Sequence, residues 1–303
     1  MVSIMMKRKH SGGIQTGKTE LFFDILIGFL LLLFSLTVIL PFWYLLAQSF
    51  DQMGNMSGTD FYLWPRSFTF ANYSIILHNK YIWAGYANTL LRTILGTVLT
   101  LFCTTMGAYT LSKKYFPHHT FWSFFVILTM FFGGGLIPTY LWINQLGLID
   151  NRMVLILPSL VGAYNLVLVR NFMLQIPAEL EESARLDGAG DFRTFLSIVL
   201  PVSKPILATV ALWVAVGHWN SWFDCLLYIR DPNKLVVQVV LQRIIIQGTD
   251  KMLLDKSQQL EFDARPEMIK AACIYVTTLP ILCVYPFLQK YFVKGIYVGS
   301  LKG

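Results

Sequence analysis

A glycine-rich segment at residues 12–19 is the first place in the chain where residue types and spacing could perform chemistry. It reads GGIQTGKT and fits the phosphate-binding pattern G-x-x-x-x-G-K-[ST]. The backbone amides of such a loop hold a nucleotide phosphate only when a buried strand and a helix position them. Here a short Met- and Lys-rich stretch precedes the segment and a long apolar stretch follows it. We therefore predict no nucleotide site, and interpret the segment as a basic tail that contacts anionic lipid headgroups.

Metal and catalytic chemistry have weaker support in the sequence. His118 and His119 are adjacent, but no third ligand lies near them, and a zinc site needs at least three protein ligands. The four cysteines fall in or beside apolar stretches, without zinc spacing and without an expected disulfide partner. No serine–histidine pair and no pair of carboxylates stands out in the apolar stretches. The sequence predicts no catalytic residue, no metal and no cofactor.

A polar, acidic stretch at residues 177–201 is the most informative part of the chain. Pro177 suits the first turn of a helix, and the three glutamates that follow lie near the positive end of the helix dipole. Gly188 can adopt the left-handed conformation that ends a helix and turns the chain. Asp191 is a good N-cap for a second short helix at 192–200. The pattern predicts a helical hairpin that projects from its surroundings and can dock on a partner.

Composition places the rest of the chain in a bilayer. Hydrophobic residues are 55% and charged residues 14% of the 303, whereas soluble domains carry about a quarter charged residues. The net charge of +7 does not favour nucleic acid, and it fits an inner-membrane protein with basic cytoplasmic ends. We predict an all-α membrane protein with six transmembrane helices, each able to cross about 30 Å of hydrocarbon. The predicted spans are 22–47, 86–112, 120–143, 153–175, 205–228 and 268–292.

The distribution of lysine and arginine sets the expected orientation. These residues occur in the N-terminal tail (1–20), the loop after the second span, the hairpin and the C-terminal tail (294–303). Because basic loops are retained in the cytoplasm, both termini and the hairpin are predicted to be cytoplasmic. The transmembrane domain then covers 21–293, and the loop at 229–267 lies outside the cell. Its apolar residues argue against disorder.

The spacing within the hairpin resembles a known family motif. The triplet ESA at 182–184 is followed after three residues by Gly188, and after nine more by IVLP at 198–201. This spacing resembles the EAA loop of ABC importer permeases, with Ser183 in place of the first alanine. In that family the loop docks into a separate ATPase subunit. The segments at 131–159, 219–223 (WNSWF) and 294–303 are similar to those of carbohydrate permeases of the maltose and polysaccharide-uptake type.

The resemblance implies a type I ABC importer permease fold in a multi-pass protein of the bacterial cell membrane. It also implies the partners: a homologous second permease subunit, a dimer of cytoplasmic ATP-binding subunits, an extracytoplasmic solute-binding protein and a sugar substrate. ATP hydrolysis would belong to the partner, so this chain would not be an enzyme. The residues implied to couple to the ATPase are Glu181, Glu182, Ser183, Ala184, Asp187, Gly188, Ala189, Ile198, Leu200 and Pro201.

Aromatic and amide side chains in the spans are candidates for a sugar path, since stacking and amide hydrogen bonds suit a sugar. The candidates are Tyr140, Asn144, Trp219, Asn220 and Trp222. The same side chains can instead join helices to one another, and this alternative stays open. Arg92 and Arg170 are expected to reach from their spans towards the interface. The tip of the outer loop, at 248–256, is expected to contact the binding protein.

Two other classes of protein remain as alternatives. One is a type I importer permease for another solute, such as a peptide, an amino acid or a metal, since the EAA loop is common to these permeases. The other is an integral membrane enzyme, which would need a polar catalytic cluster at the membrane edge. The sequence favours the sugar importer, with alternating access driven by the ATPase. It does not specify the sugar.

Overall fold

The computed structural model describes residues 18–52, 62–246 and 266–300, and these ranges are built from helices joined by short turns. No strand occurs in the described ranges, where a single isolated bridge joins Asp51 to Phe68. In chain order the helices are α1 (Lys18–Ser49), α2 (Ala71–Leu77), α3 (Lys80–Ser112), α4 (His119–Phe131), α5 (Leu136–Gln145), α6 (Ala163–Met173), α7 (Ala178–Leu186), α8 (Asp191–Thr194), α9 (Leu200–Val202), α10 (Lys204–Asn220), α11 (Phe223–Tyr228), α12 (Val237–Ile246) and α13 (Pro266–Ser300). The all-α prediction is confirmed.

Three single helices of the described ranges are long and apolar enough to cross a membrane. They are Leu21–Ser49 of α1, all of α3, and Pro266–Val284 of α13. Three bent pairs reach the same criterion when their halves are taken together: α4 with α5 (115°), Arg152–Ser159 with α6 (46°), and Asp191–Val202 with α10 (79°). By length and composition the described chain therefore has three spans, or up to six if each bent pair is one span.

The three other predicted spans are interrupted, which corrects the expectation of continuous helices. The span at 120–143 breaks after Phe131, where three consecutive glycines end α4 and Gly135 takes a φ of +80°. The span at 153–175 begins as 3₁₀ turns before Gly162. The span at 205–228 breaks between α10 and α11, at Ser221. Membrane helices tolerate such breaks when neighbouring groups satisfy the freed backbone.

The central helix of the described structure is α3, and two apolar clusters lie at its two ends. Near its carboxyl end, Tyr109 packs with Val169 of α6, Phe195 and Val210 of α10. Towards its amino end, the second cluster gathers α2, α11, α12 and α13 around the buried valines of α12. Each cluster supports one of the two polar regions described below.

Glycines allow two helices to approach α3 closely. A Cβ on Gly96 would lie 2.5 Å from Nε2 of His218 in α10, and a Cβ on Gly85 would lie 3.0 Å from Cα of Val237 in α12. Helix α12 is therefore packed into the core, although it belongs to the segment 229–267 predicted as a loop. Residues 247–265 of that segment, including its tip at 248–256, lie outside the described residues.

The terminal predictions are described only in part. Residues 12–17 of the phosphate-loop pattern lie outside the described residues, and Lys18 and Thr19 belong to the first turn of α1. At the other end, α13 continues through 294–300 of the predicted C-terminal tail.

Candidate functional site

The hairpin at residues 177–201 has the predicted turn. Gly188 takes a φ of +77°, in the left-handed region. The N–H of Gly188 donates to Arg185 O at 3.0 Å, and the N–H of Ala189 donates to Ala184 O at 2.9 Å. These two bonds satisfy carbonyls at the end of α7, as glycine-terminated helices commonly do. The prediction that Gly188 ends the first helix and turns the chain is confirmed.

Asp191 does not cap the second helix with its side chain, so that prediction is wrong. Helix α8 begins at Asp191 itself, after Gly190, without a side-chain cap bond. The Asp191 carboxylate is instead shared by two donors from its surroundings. Its Oδ1 accepts the Tyr115 hydroxyl at 2.9 Å and lies 3.0 Å from Nη2 of Arg185. The carboxylate therefore ties the two arms of the hairpin together and to the loop after α3.

The hairpin is anchored to the carboxyl end of α3. Lys113 forms an ion pair with Glu181, and the two side chains are only 11% and 15% exposed. The same ammonium lies 4.4 Å from the ring centroid of Tyr109, in a cation–π arrangement. The Tyr109 ring packs against Phe195 with centroids 5.0 Å apart, and its hydroxyl donates to Asp191 O at 3.3 Å. An ion pair, a cation–π contact, a ring contact and a hydrogen bond therefore join the hairpin to the carboxyl end of α3.

The second arm of the hairpin contains a π turn at Phe195–Val199, between α8 and α9. The N–H of Leu200 donates to Phe195 O, five residues back. The following Pro201 has no N–H to continue the helical ladder. The predicted helix at 192–200 thus exists but changes its winding, and π turns are frequent at functional positions.

The ten predicted coupling residues divide between two faces of the hairpin. Glu182, Ser183, Asp187, Gly188 and Pro201 are exposed, whereas Glu181, Ala184, Ala189, Ile198 and Leu200 are buried or half-buried. Beside the exposed members, Leu186 is 89% and Phe192 66% exposed. Exposed large apolar side chains with polar neighbours are typical of a protein interaction surface. We call this surface, formed by Glu182, Leu186, Asp187 and Phe192, the hairpin tip.

The predicted path residues lie in several environments. Tyr140 stacks on Tyr228 at a centroid distance of 5.9 Å. Trp219 lines an apolar cavity of about 920 Å³ with aromatic side chains of α3 and α13, and its indole N–H has no partner among the described residues. Asn144 and Asn220 are exposed, and Trp222 lies at the break before α11. All five residues remain candidates for the path.

Arg92 was expected to reach towards the membrane interface, and that prediction is wrong. The side chain is buried in the bundle. Its Nη1 donates to Ser221 O and to Asp224 Oδ1, both at 3.2 Å, and its Nη2 forms an ion pair with Asp224. Its Nε lies 3.4 Å from Nδ1 of His218. The guanidinium therefore satisfies the carbonyl freed by the break between α10 and α11. Arg170 is half-buried, and its Nε donates to Leu111 O at 2.9 Å near the carboxyl end of α3.

A second polar region lies towards the amino end of α3, and sequence reasoning did not identify it as a unit. The buried Asn88 amide donates to Asn233 O at 2.8 Å and Leu235 O at 2.9 Å, and its Oδ1 accepts Nε of Arg152 at 2.8 Å. Asp150 accepts Nζ of Lys234 at 2.9 Å. We call these five residues, Asn88, Asp150, Arg152, Asn233 and Lys234, the Asn88 network.

Asp150 holds the chain at the entrance to α12. Its Oδ1 accepts the backbone N–H groups of Arg230 at 3.1 Å and Asp231 at 3.0 Å. The hydrogen bond from Lys234, together with these backbone bonds, lowers the pKa of the Asp150 carboxyl below its ordinary value. The network thus fixes residues 230–236 against the loop that contains Asp150. Its signals in the sequence were one asparagine within an apolar helix and charged residues in two separate loops.

In the described part of the chain no three His, Cys, Asp or Glu side chains come together as metal ligands. His118 lies before α4 with a φ of +55°.

The described structure is a bundle of bent helices with an exposed hairpin anchored to α3, an arrangement that fits the permease subunit of an importer. The family model described as the binding-protein-dependent transport system inner membrane component matches residues 14–297. The chain belongs to this family, and the expected permease fold is confirmed.

Relatives cover nearly the whole chain. The polygalacturonan/rhamnogalacturonan transport system permease protein YtcP of Bacillus subtilis (strain 168) is 40% identical over 282 residues, which are 93% of this chain and 98% of that protein. Protein LplC of the same organism is 41% identical over 266 residues, 88% of this chain and 90% of that protein. A crystal structure of a bacterial ABC transporter involved in the import of the acidic polysaccharide alginate contains a chain that is 32% identical, with a TM-score of 0.84, covering 91% of this chain and 98% of that one.

Proposed function

We propose that this chain is the membrane-spanning permease subunit of an ATP-driven, binding-protein-dependent importer of sugars or oligosaccharides. Its hairpin would receive the motion of a cytoplasmic ATPase dimer and drive alternating access. The observation that carries the proposal is the hairpin itself. It exposes Leu186 and Phe192, and its Glu181 forms an ion pair with Lys113, the residue that follows α3. Because the hairpin is exposed on one side and fixed to α3 on the other, a movement of the ATPase bound to its exposed side would also move α3.

The path of that motion runs through α3. Its carboxyl end carries the hairpin through Lys113 and Tyr109, and its middle contacts α10 and α11 through Arg92. Closer to its amino end, Asn88 holds residues 233–235. A tilt of α3 would therefore act both on the break before α11 and on the Asn88 network. Packed helices and ion pairs of this kind switch between discrete arrangements rather than deform continuously.

The partners follow from the same proposal. A homologous second permease would complete the translocation path, and the ATPase dimer would bind the hairpin tip. An extracytoplasmic binding protein would deliver the sugar at the amino end of α3. The alternative, a permease for a peptide, an amino acid or a metal, is less well supported, since the relatives named for a substrate above are named for polysaccharides.

The proposal is tested by assembling the chain with its ATPase, second permease and binding protein in proteoliposomes. We expect ATP-dependent uptake of oligosaccharides. Leu186→Asp should leave membrane insertion unchanged, because this side chain is 89% exposed and supports no packing. It should reduce co-purification of the ATPase by about tenfold, since it places a charge in an apolar contact.

Leu180→Asp is the matched control, because Leu180 is also exposed on α7 (44%) but is not part of the hairpin tip and lies about 1.7 turns from Leu186. ATPase association should be less affected by this change. Uptake of amino acids or peptides instead of sugars would refute the sugar assignment. Unchanged ATPase binding by Leu186→Asp would refute the assignment of the docking surface.

The orientation is a separate part of the proposal. The hairpin and both termini would face the cytoplasm, and the Asn88 network would face the outside. Single cysteines placed at exposed positions Lys114, Gly190 and Arg230 distinguish the two sides. In a background without the native cysteines, a membrane-impermeant maleimide added to intact spheroplasts should label only position 230. Labelling of 114 or 190 under these conditions would reverse the assignment.

A further inference from the structure

Arg152 is an exposed cation whose side chain is oriented by hydrogen bonds to Asn88 and Asn233. Its Nε donates to Oδ1 of buried Asn88 at 2.8 Å, and its Nη2 lies 3.5 Å from Asn233 O. Asn88 is itself held by its two bonds to the backbone of residues 233 and 235. The remainder of the guanidinium is exposed, and no carboxylate in the described ranges pairs with it. The side chain therefore presents free N–H donors in a constrained direction.

The surrounding charges leave this region positive. Nζ of Lys234 lies 2.9 Å from Oδ2 of Asp150 and 3.9 Å from Oδ2 of Asp231. Both carboxylates therefore form ion pairs with the same ammonium group. Arg230, whose backbone N–H binds Asp150, has an exposed side chain without an acidic partner among the described residues. Two guanidinium groups thus remain for an external anion. A guanidinium matches the geometry of a carboxylate, with which it forms paired hydrogen bonds.

We propose that Arg152 binds the carboxylate of a uronate residue in the transported oligosaccharide, and that the importer carries acidic rather than neutral sugars. The proposal rests on the proposed function as a sugar permease. A neutral sugar offers a guanidinium only hydroxyl acceptors, whereas a uronate carboxylate forms paired, charge-assisted hydrogen bonds that are stronger. Two of the related proteins are named for polygalacturonan/rhamnogalacturonan transport and for the import of the acidic polysaccharide alginate. Arg152 would then be a specificity-determining residue at the entrance.

The test uses the complete importer in proteoliposomes with its binding protein. The probes are trigalacturonate and trimannuronate, each compared with its neutral methyl ester. Arg152→Gln should raise the KM for the free acids by about tenfold, because charge-assisted hydrogen bonds are lost, and should leave the KM for the esters unchanged. Arg152→Lys should restore only part of the difference, since an ammonium cannot form the paired bonds.

Lys80→Gln is the matched control, because Lys80 is another exposed cation at the amino end of α3, outside the Asn88 network. It should not change the discrimination between acid and ester. If Arg152→Gln weakens uptake of acids and esters equally, and also lowers ATP hydrolysis stimulated by unloaded binding protein, Arg152 contacts a carboxylate of that protein and the proposal is wrong.

Two further outcomes separate this proposal from the proposed function. Uptake of neutral oligosaccharides without uptake of either acid would overturn the acidic substrate while leaving the sugar importer intact. The absence of ATP-dependent uptake of any sugar would overturn both.

Discussion

Gly188→Val is expected to abolish most ATP-driven uptake while leaving the protein in the membrane. Gly188 has a φ of +77°, and a Cβ added there would meet nothing within 4 Å. The penalty is therefore one of backbone conformation, of about 1–2 kcal/mol or more for a branched residue. A change of this size shifts the population of the native turn by about five- to thirtyfold. Uptake and ATPase co-purification measured on equal amounts of inserted protein should fall accordingly.

Gly190→Val is a matched control two residues away. A Cβ on Gly190 also meets nothing within 4 Å, but its φ of −73° is open to any residue. This variant should transport nearly as well as the wild type, and Gly188→Asn should be intermediate, since asparagine tolerates the left-handed region. Wild-type uptake by Gly188→Val would show that the turn does not transmit motion. Equal loss in both valine variants would point to a requirement for small residues instead.

Arg92→Gln and Asp224→Asn should each prevent accumulation of folded protein. The Arg92 side chain is 4% exposed and that of Asp224 28%, and each single change leaves the other charge unpaired between helices. Removing one member of a buried pair costs about 3–5 kcal/mol, a large part of the roughly 5–15 kcal/mol that stabilises a typical protein. The measurement is the yield and melting temperature of the monodisperse, detergent-solubilised chain.

The double variant Arg92→Gln/Asp224→Asn should recover much of that loss, because it removes both charges and keeps donors and acceptors in place. Glu267→Gln provides the control. It breaks an exposed pair with Lys270, in which Glu267 is 61% exposed, and such pairs contribute about 1 kcal/mol or less. A double variant as unstable as the sum of the two single variants would mean that the charges do not act as a pair.

The turn of the hairpin and the long spans could be predicted because their causes are local. Gly188 between an acidic helix and a second helix is enough to place the turn, and the apolar length of α1 or α3 is enough to identify a span. The breaks were harder, since membrane helices contain glycine and proline without always breaking. At 133–135 three glycines were visible, but at Ser221 the break depends on Arg92, which lies 129 residues away.

The distribution of roles within the candidate site could be predicted only in part. The hairpin motif includes both Glu181 and Glu182, but the sequence cannot show that the first is ion-paired with Lys113 while the second is exposed. Asp191 had the right residue type for a cap, yet Tyr115 and Arg185 compete for its carboxylate. The mixed charges of the segment 229–267 favour a loop, and the sequence alone does not show that α12 packs against Gly85.

Helix α1 has a consequence for how the protein fits bilayers of different thickness. Its span Leu21–Ser49 has 29 residues, which makes it about 43 Å long, whereas the hydrocarbon layer measures about 30 Å. Residues 21–43 are all exposed, and burial begins only at Tyr44, where the helix meets α13 through the Tyr275 hydroxyl and Phe42 O. A change in the tilt of residues 21–41 about this contact would match the helix to a thinner or thicker membrane. The rest of the bundle would keep its packing as this happens.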